Sequence, residues 1–286
     1  HFGDILYARF MADFGAIVDK VQVKIITDPA LHAEWLQKAR HAYDYRNNRL
    51  ADMTDEAVDE FYTCTLCQSF APTHLCLVSP QRLGLCGAYN YLDCAASYQI
   101  NPTGPNQPIR KGMAIDKVQG IYSGLNEIAV QKSNGTVQEV AMYSIMNSPM
   151  TACGCFECIV MLIPEANGVM VVSREDTSMT PAGMTFSTLA GMAGGGLQTP
   201  GVMGVGKYYL TSPKFISADG GFKRIVWMSS VLKQTMAAEL QAVVEREGDP
   251  DLIAKIADET ICTDVDGLLA HLESTSHPAL MMDPMF

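Results

Sequence analysis

The stretch CTLCQSFAPTHLCLVSPQRLGLC brings Cys64, Cys67, Cys76 and Cys86 close together, and the tripeptide Cys153-Gly154-Cys155 follows downstream. Any fold open to this chain has to accommodate both. Four thiolates suit an iron–sulfur cube, one for each iron, and a CxxC opening followed by wider steps is a common way to supply them. A glycine between two cysteines leaves the backbone bare, so two sulfurs and the amide nitrogens of Gly154 and Cys155 can close around one metal in a plane. Tetragonal or planar N,S coordination points to nickel(II) or copper(II), because zinc prefers a tetrahedron.

The chain has nine cysteines, an odd total in a CxxC plus CxC layout. That pattern reads as metal ligation in a reducing cytoplasm and not as the disulfides of a secreted domain. Cys94, Cys158 and Cys262 read as small buried hydrophobes. A net charge of −11, from 20 basic and 31 acidic residues, argues against a nucleic-acid surface. No run approaches the roughly 20 apolar residues of a membrane span, and no basic-then-apolar leader opens the chain. With 286 residues the chain suits one and a half to two domains, and its start at His1 suggests a piece of a longer protein.

Helical periods predict helices over 4–14 and from Asp28-Pro29 onward, with a strand over 21–27 between them, where Val21, Val23 and Ile25 alternate with polar residues. This piece, 1–51, reads as the end of a preceding α/β domain, and 52–286 as the metal-binding domain. Thr54 with Asp55 and Glu56 predicts a helix that ends at Cys64, and the stretch from there to Pro108 reads as a long irregular wrap. A helix over 115–132, a turn at Asn134-Gly135 and a strand through TVQEVAMYSI follow. Ile159–Ile163 and Val169–Val172, separated by PEANG, read as a buried hairpin directly after the second metal loop. The glycine-rich stretch 180–206 lacks a phosphate-loop consensus, so tight turns and close backbone approach near the metal explain it better. A helical pattern through Trp227, Val231, Leu232, Met236, Leu240 and Val243, then short helices near 250–258 and 264–273, complete an α+β fold: a mixed sheet with surrounding helices and long irregular metal-binding loops.

The spacing of Cys64, Cys67, Cys76 and Cys86, followed by the Cys-Gly-Cys tripeptide, resembles the metal centre of the acetyl-CoA synthase family, the β subunit of the carbon monoxide dehydrogenase/acetyl-CoA synthase complex of anaerobes. The resemblance runs through nearly the whole chain. It implies that Cys64, Cys67, Cys76 and Cys86 hold a [4Fe-4S] cube, with Cys67 also bridging to a proximal nickel. It implies that Cys153, Cys155 and the nitrogens of Gly154 and Cys155 hold a distal nickel, the two sulfurs bridging to the proximal metal. Phe70 matches the aromatic that lies over the proximal nickel.

The implied reaction joins a methyl group from a corrinoid iron–sulfur protein to CO from carbon monoxide dehydrogenase and passes the acetyl to coenzyme A. The proximal position also admits zinc or copper. Of the histidines, His74 alone falls in the metal stretch, and it is expected behind the ligands or at the surface. Arg110, Lys111, Lys207, Lys214, Lys223 and Arg224 are candidates for anionic coenzyme A by sign alone, a solvated face being the commoner role for each. The rivals are an iron–sulfur electron carrier in which the tripeptide is structural, and a zinc-stabilised scaffold. In the family a first domain docks the dehydrogenase and a second helps bind coenzyme A, so this piece is expected to assemble the centre without the coupling to CO channelling.

Overall fold

In the computed structural model, which describes residues 1–286, helices α1 (Phe2–Phe14) and α2 (Pro29–Asn48) come first. The Asp28 carboxylate caps α2, accepting from the Leu31 amide at 2.8 Å, a contact that stabilises a helix start by about 1 kcal/mol. Neither helix has a buried residue. The strand expected over 21–27 does not form. Its alternating residues meet no neighbouring strand, and an unpaired strand has no ladder for its amides.

The helix expected to end at Cys64 is a single 3-10 turn, Asp55–Ala57, after which strand β1 (Glu60–Cys64) delivers the cysteine. Asp55 is buried and its carboxylate accepts from the Gln81 amide and the Tyr143 hydroxyl, both at 2.9 Å, which bends the chain away from a helical path. Phe61, Tyr62 and Thr63 then suit a pleated strand. β1 is the middle strand of an antiparallel sheet between β2 (Cys76–Val78) and β3 (Asn106–Arg110), with α3 (Tyr91–Ile100) crossing from β2 to β3. The expected irregular wrap therefore contains two strands and a helix. The start of α3 is a capping box, in which the Asn90 side chain accepts from the Asp93 amide and the Asp93 carboxylate from the Asn90 amide.

Strands β4 (Ala114–Asp116) and β5 (Ile121–Tyr122) pair, so α4 (Ser123–Lys132) fills only the latter part of the helix expected over 115–132. The Asp116 carboxylate takes the Val118 and Gln119 amides at 2.8 and 3.0 Å, a local turn that competes with a helix. The Asn134-Gly135 turn is present, but residues 136–145 form no strand, although Val137 and the whole run from Val140 to Ile145 are buried.

The expected hairpin forms from β6 (Cys158–Ile163) and β7 (Gly168–Ser173), in register from Cys158 opposite Ser173 to Ile163 opposite Gly168. After α5 (Phe186–Ala193), β8 (Val202–Val205) joins β6 antiparallel, and β9 (Ile225–Met228) joins β7 parallel, giving a mixed sheet in the order β8-β6-β7-β9. Trp227 lies on β9 and not on a helix; all four β9 residues are fully buried, on both faces, as a covered strand requires. Helices α6 (Ser230–Thr235), α7 (Ala237–Glu247), α8 (Leu252–Lys255) and α9 (Val265–Ser274) follow it. The fold is α+β, as the sequence predicts.

Strand alternation divides the interior. Val160, Val169, Val171, Met203 and Val205 face one core, and Ile159, Ile163, Met170, Val172 and Val202 face the other. Phe61 and Leu77 join the first core, whereas Cys64 and Cys76 join the second. The metal-stretch cysteines on strands thus lie on a defined face of a packed sheet.

Candidate metal centre

Cys64 and Cys76 are direct partners across the β1–β2 ladder, so their side chains share one face of a rigid pair. Cys67 lies on the 3-10 turn Leu66–Ser69, and Cys86 on the turn that follows Leu85. That second turn is tied down from outside, because the Arg46 guanidinium donates to the carbonyls of Gly87 and Ala88 at 3.1 and 3.0 Å and sits 3.3 Å from the Asp93 carboxylate. The tripeptide is the run-in to β6. Phe156, fully buried edge-on against Phe186, anchors its end, and the Glu157 amide reaches the Leu85 carbonyl at 3.1 Å, joining the Cys155 and Cys86 loops through backbone.

The glycine-rich stretch supplies the third strap. The Gly196 amide donates to the Ala152 carbonyl and the Thr73 hydroxyl to the Gly196 carbonyl, both at 2.8 Å. A Cβ on Gly196 would stand 2.4 Å from the Thr73 hydroxyl oxygen and 3.0 Å from the His74 nitrogen, so close backbone approach is the reason for a glycine here.

These elements bring the two cysteine stretches together. The Cys155 sulfur lies 2.7 Å from that of Cys153 and 3.5 Å from that of Cys67, and all three lie within 4.8 Å of one another. The Cys155 amide donates to the Cys153 sulfur at 3.3 Å, so a backbone nitrogen converges with the sulfurs. Gly154 has φ +117°, in the region that favours glycine, and its carbonyl accepts from the Arg174 guanidinium at 2.7 Å.

Electrostatics follow from the crowding. The hydrogen bond from Cys155 holds the Cys153 thiol down at about 3, with His74 adding to the effect against burial, while Cys155 is pushed far up because its hydrogen serves Cys153 and Cys86. The same Cys155 thiol pulls Cys86 down to about 6. Burial raises Cys64 and Cys76, the neighbouring thiols adding to it, and pushes Cys67 up to about 11. Sulfurs that share protons in this way bind a thiophilic cation readily, since a metal replaces the protons and relieves the repulsion between thiolates. The donor set therefore suits such a metal at Cys67, Cys153 and Cys155.

Phe70 is 88% exposed beside Cys67 and belongs to neither core. Cys94, Cys158 and Cys262 are buried, as expected. His74 is buried behind the cysteines and not at the surface. Of the six candidate cations, Lys207 alone lines the cavity of about 160 Å³ that Cys86 and Cys155 share with Glu157, Arg174 and Glu175. Arg224 is buried and donates to the carbonyls of Asp219 and Asn167, Lys111 donates to the Asp55 carbonyl, and Lys214 pairs with Glu56. Lys223 and Arg110 pair with Glu247 and Glu60. Arg46, Arg174 and Thr151, which hold the site's loops, carry no sequence signal, since each acts on backbone or side chains brought close only by folding. No helix is long and apolar enough to cross a membrane.

A family model for the C-terminal part of the ACS/CODH beta subunit matches residues 43–286. The carbon monoxide dehydrogenase/acetyl-CoA synthase subunit alpha of Moorella thermoacetica is 53% identical over the whole chain, which spans 39% of that protein. The acetyl-CoA decarbonylase/synthase complex subunit beta 2 of Methanocaldococcus jannaschii is 43% identical over 97% of the chain, which spans 57% of it. A solved C-terminal domain of an acetyl-coenzyme A synthase alpha subunit is 54% identical, covers 47% of this chain and all of its own, and superposes with a TM-score of 0.45. With the family model matched from residue 43 to the last residue, and with both cysteine stretches gathered by the fold, the chain belongs to the family of the C-terminal part of the ACS/CODH beta subunit.

Proposed function

We propose that the chain is the catalytic portion of an acetyl-CoA synthase, an acyltransferase that forms acetyl-CoA from CO, a corrinoid-bound methyl group and coenzyme A. One observation carries the reading: Cys67, from the four-cysteine stretch, meets Cys155 of the distant tripeptide at 3.5 Å. Cys64, Cys67, Cys76 and Cys86 would hold a [4Fe-4S] cube, and Cys153 and Cys155, with the nitrogens of Gly154 and Cys155, a distal nickel. Cys67, Cys153 and Cys155 would share a proximal metal, nickel in the active form and open to zinc or copper. When bound, the metals would supply open positions for carbon ligands and make the carbon–carbon and carbon–sulfur bonds.

The chain's own share is ligation and shielding. Rigid strands fix Cys64 and Cys76, the straps at Arg46 and Gly196 hold the Cys86 and Cys153 loops in place, and Phe70 would limit access to the open side. Carbon monoxide dehydrogenase and the corrinoid iron–sulfur protein are the proposed partners. The reading accords with the names of the relatives, a synthase subunit and a decarbonylase/synthase subunit. An electron carrier would use the four cysteines alone and has no need for Cys67 to converge on the tripeptide.

Anomalous scattering at the nickel and iron edges, from crystals grown without oxygen, tests the proposal. Nickel peaks beside an iron cluster are expected, and iron without nickel would instead establish a carrier. Cys67→Ala is expected to remove the proximal metal and abolish acetyl transfer while the tripeptide keeps its own nickel. Acetyl-CoA synthesis retained in that variant would overturn the bridging role.

A further inference from the structure

A second cavity, of about 280 Å³, adjoins the one of about 160 Å³ that reaches Cys86 and Cys155, and Lys207 and Thr235 line both. Lys207 opens the 3-10 turn Lys207–Thr211 and Thr235 ends α6, so the neck between the cavities takes one residue from each wall. The second cavity is closed by α2, through Arg40 and Asp44. A third, of about 270 Å³, meets α2 at Asn47 and shares Tyr208 with the second. Arg40, Asp44 and Asn47 stand at i, i+4 and i+7, one stripe of a helix covering about 10 Å of its axis. The three cavities form a groove that begins at a candidate ligand sulfur and runs between α2 and the 3-10 turn. Phe70 lines none of them, so the groove reaches Cys155 without passing that ring.

The lining changes with distance from the sulfurs. Near them it mixes donors and acceptors. The Lys207 ammonium rests 5.4 Å from the centroid of the Tyr208 ring and pairs with no carboxylate. The Thr235 hydroxyl donates to the Val231 carbonyl at 2.7 Å and keeps its lone pairs free. Such a lining suits an uncharged arm with amides, whose carbonyls take donors and whose N–H groups need acceptors. Farther out, Arg40 is exposed and without an ion pair. Of the two carboxylates beside it, that of Asp44 is engaged by the Tyr208 hydroxyl at 2.9 Å, and that of Glu239 faces the same cavity. A guanidinium and an ammonium without partners at that distance suit phosphate groups.

We propose that this groove admits coenzyme A, with its thiol toward Cys155, its amide-bearing arm through the Lys207–Thr235 neck and its phosphates at Arg40 and Lys207. The inference rests on the reading of the chain as an acetyl-CoA synthase, and it gives the acyl acceptor a side of the centre distinct from the Phe70 face. The third cavity leaves room for the nucleotide along α2.

Desulfo-coenzyme A is the probe, because it keeps the arm and the phosphates but has no sulfur to ligate a metal or exchange with cysteines. Titrated into the whole metal-free chain, it is expected to shift the amide resonances of Asp44, Lys207 and Thr235 and to leave those of Ser69 and Phe70 unmoved, with a Kd on the order of 0.1–1 mM. Thr235→Trp, which fills the neck, is expected to weaken binding at least roughly tenfold, and Lys207→Ala about three- to tenfold. Arg40→Ala should weaken desulfo-coenzyme A but not desulfopantetheine, which lacks the phosphates. Shifts confined to the surroundings of Phe70, no saturation by about 10 mM, or unchanged affinity in both Thr235→Trp and Lys207→Ala would overturn the proposal. If crystals show nickel beside the iron cluster and the probe does not enter the groove, the synthase reading stands and this placement falls. If the probe binds as expected and no nickel is found, the groove stands and the synthase reading falls.

Discussion

At the scale of single residues, the tripeptide depends on a backbone conformation that only glycine adopts freely. Gly154 sits at φ +117°, and a Cβ placed on it would meet nothing within 4 Å. Gly154→Ala therefore adds no clash, and its cost is backbone strain of about 1–3 kcal/mol. The variant is expected to remain folded, with a denaturation free energy lower by that amount, and to bind nickel(II) at least tenfold more weakly in chelator competition. An unchanged nickel affinity would show that the tripeptide backbone does not wrap the metal. This part of the site was legible in the sequence, because a glycine between two cysteines has few other uses. The Arg174 hydrogen bond to the Gly154 carbonyl was not: the hairpin returns the end of β7 to the loop before β6, but nothing in the order of residues says which side chain there reaches that carbonyl. His74 lay between: its position in the metal stretch was visible, but its burial and its partner Thr151 come from the fold.

At the scale of elements, legibility followed the hydrogen-bonding partner. The β6–β7 hairpin was readable because its partners are adjacent in sequence and both strands are continuous apolar runs. β9 was misread as helix because its partner, β7, lies more than 50 residues away and its burial on both faces removes the period-two pattern. The same strand carries a pH-sensitive fastening. His277, fully buried, donates from Nε2 to the Ile225 carbonyl at 3.0 Å and accepts the Ala279 amide at Nδ1, an acceptor that only the neutral ring offers. Burial pulls its pKa from 6.5 to about 4, opposed by the hydrogen bond to the Ile225 carbonyl and, less, by Asp249, with Lys255 and His271 contributing in the direction of burial. The folded value lies below the unfolded one, so this contribution is complete above about pH 6.5 and is lost as the pH falls toward 4. Within that window the unfolded chain binds the extra proton, at about 1.4 kcal/mol per pH unit. Urea unfolding of the metal-free protein at pH 7.5 and pH 5 should show this slope, and His277→Gln should be less stable at pH 7.5 but flatter across the interval. Equal slopes in the two proteins would remove His277 as the cause.

At the scale of the whole molecule, the division proposed near Ala51 separates residues with no buried side chain from those that build both cores, since the first buried residue is Asp55. The end of α2 nevertheless reaches across that line. Tyr208 donates to the Asp44 carboxylate at 2.9 Å, and Arg46 holds the Cys86 turn, while the family match begins at residue 43. The expected remainder of a preceding domain thus contains two kinds of chain: α1 and its connection, which pack against no core, and a helix end that braces a candidate ligand loop. Removing residues 1–27 is expected to change the unfolding free energy by no more than roughly 1 kcal/mol, because exposed elements contribute little burial. Arg46→Ala, which leaves two carbonyls and Asp93 without their cation, is expected to cost about 1–3 kcal/mol and to loosen the turn that bears Cys86. A brief maleimide pulse on the metal-free protein, read by peptide mapping, separates the two effects. Cys86 should label faster in Arg46→Ala than in either the wild type or the truncated chain, because the guanidinium holds the Gly87 and Ala88 carbonyls of that turn to α2. Equal labelling in all three would mean that the backbone bonds from Glu157 to Leu85 and within the turn, from Gly84 to Tyr89 and Gly87 to Gly84, hold the loop without the Arg46 guanidinium.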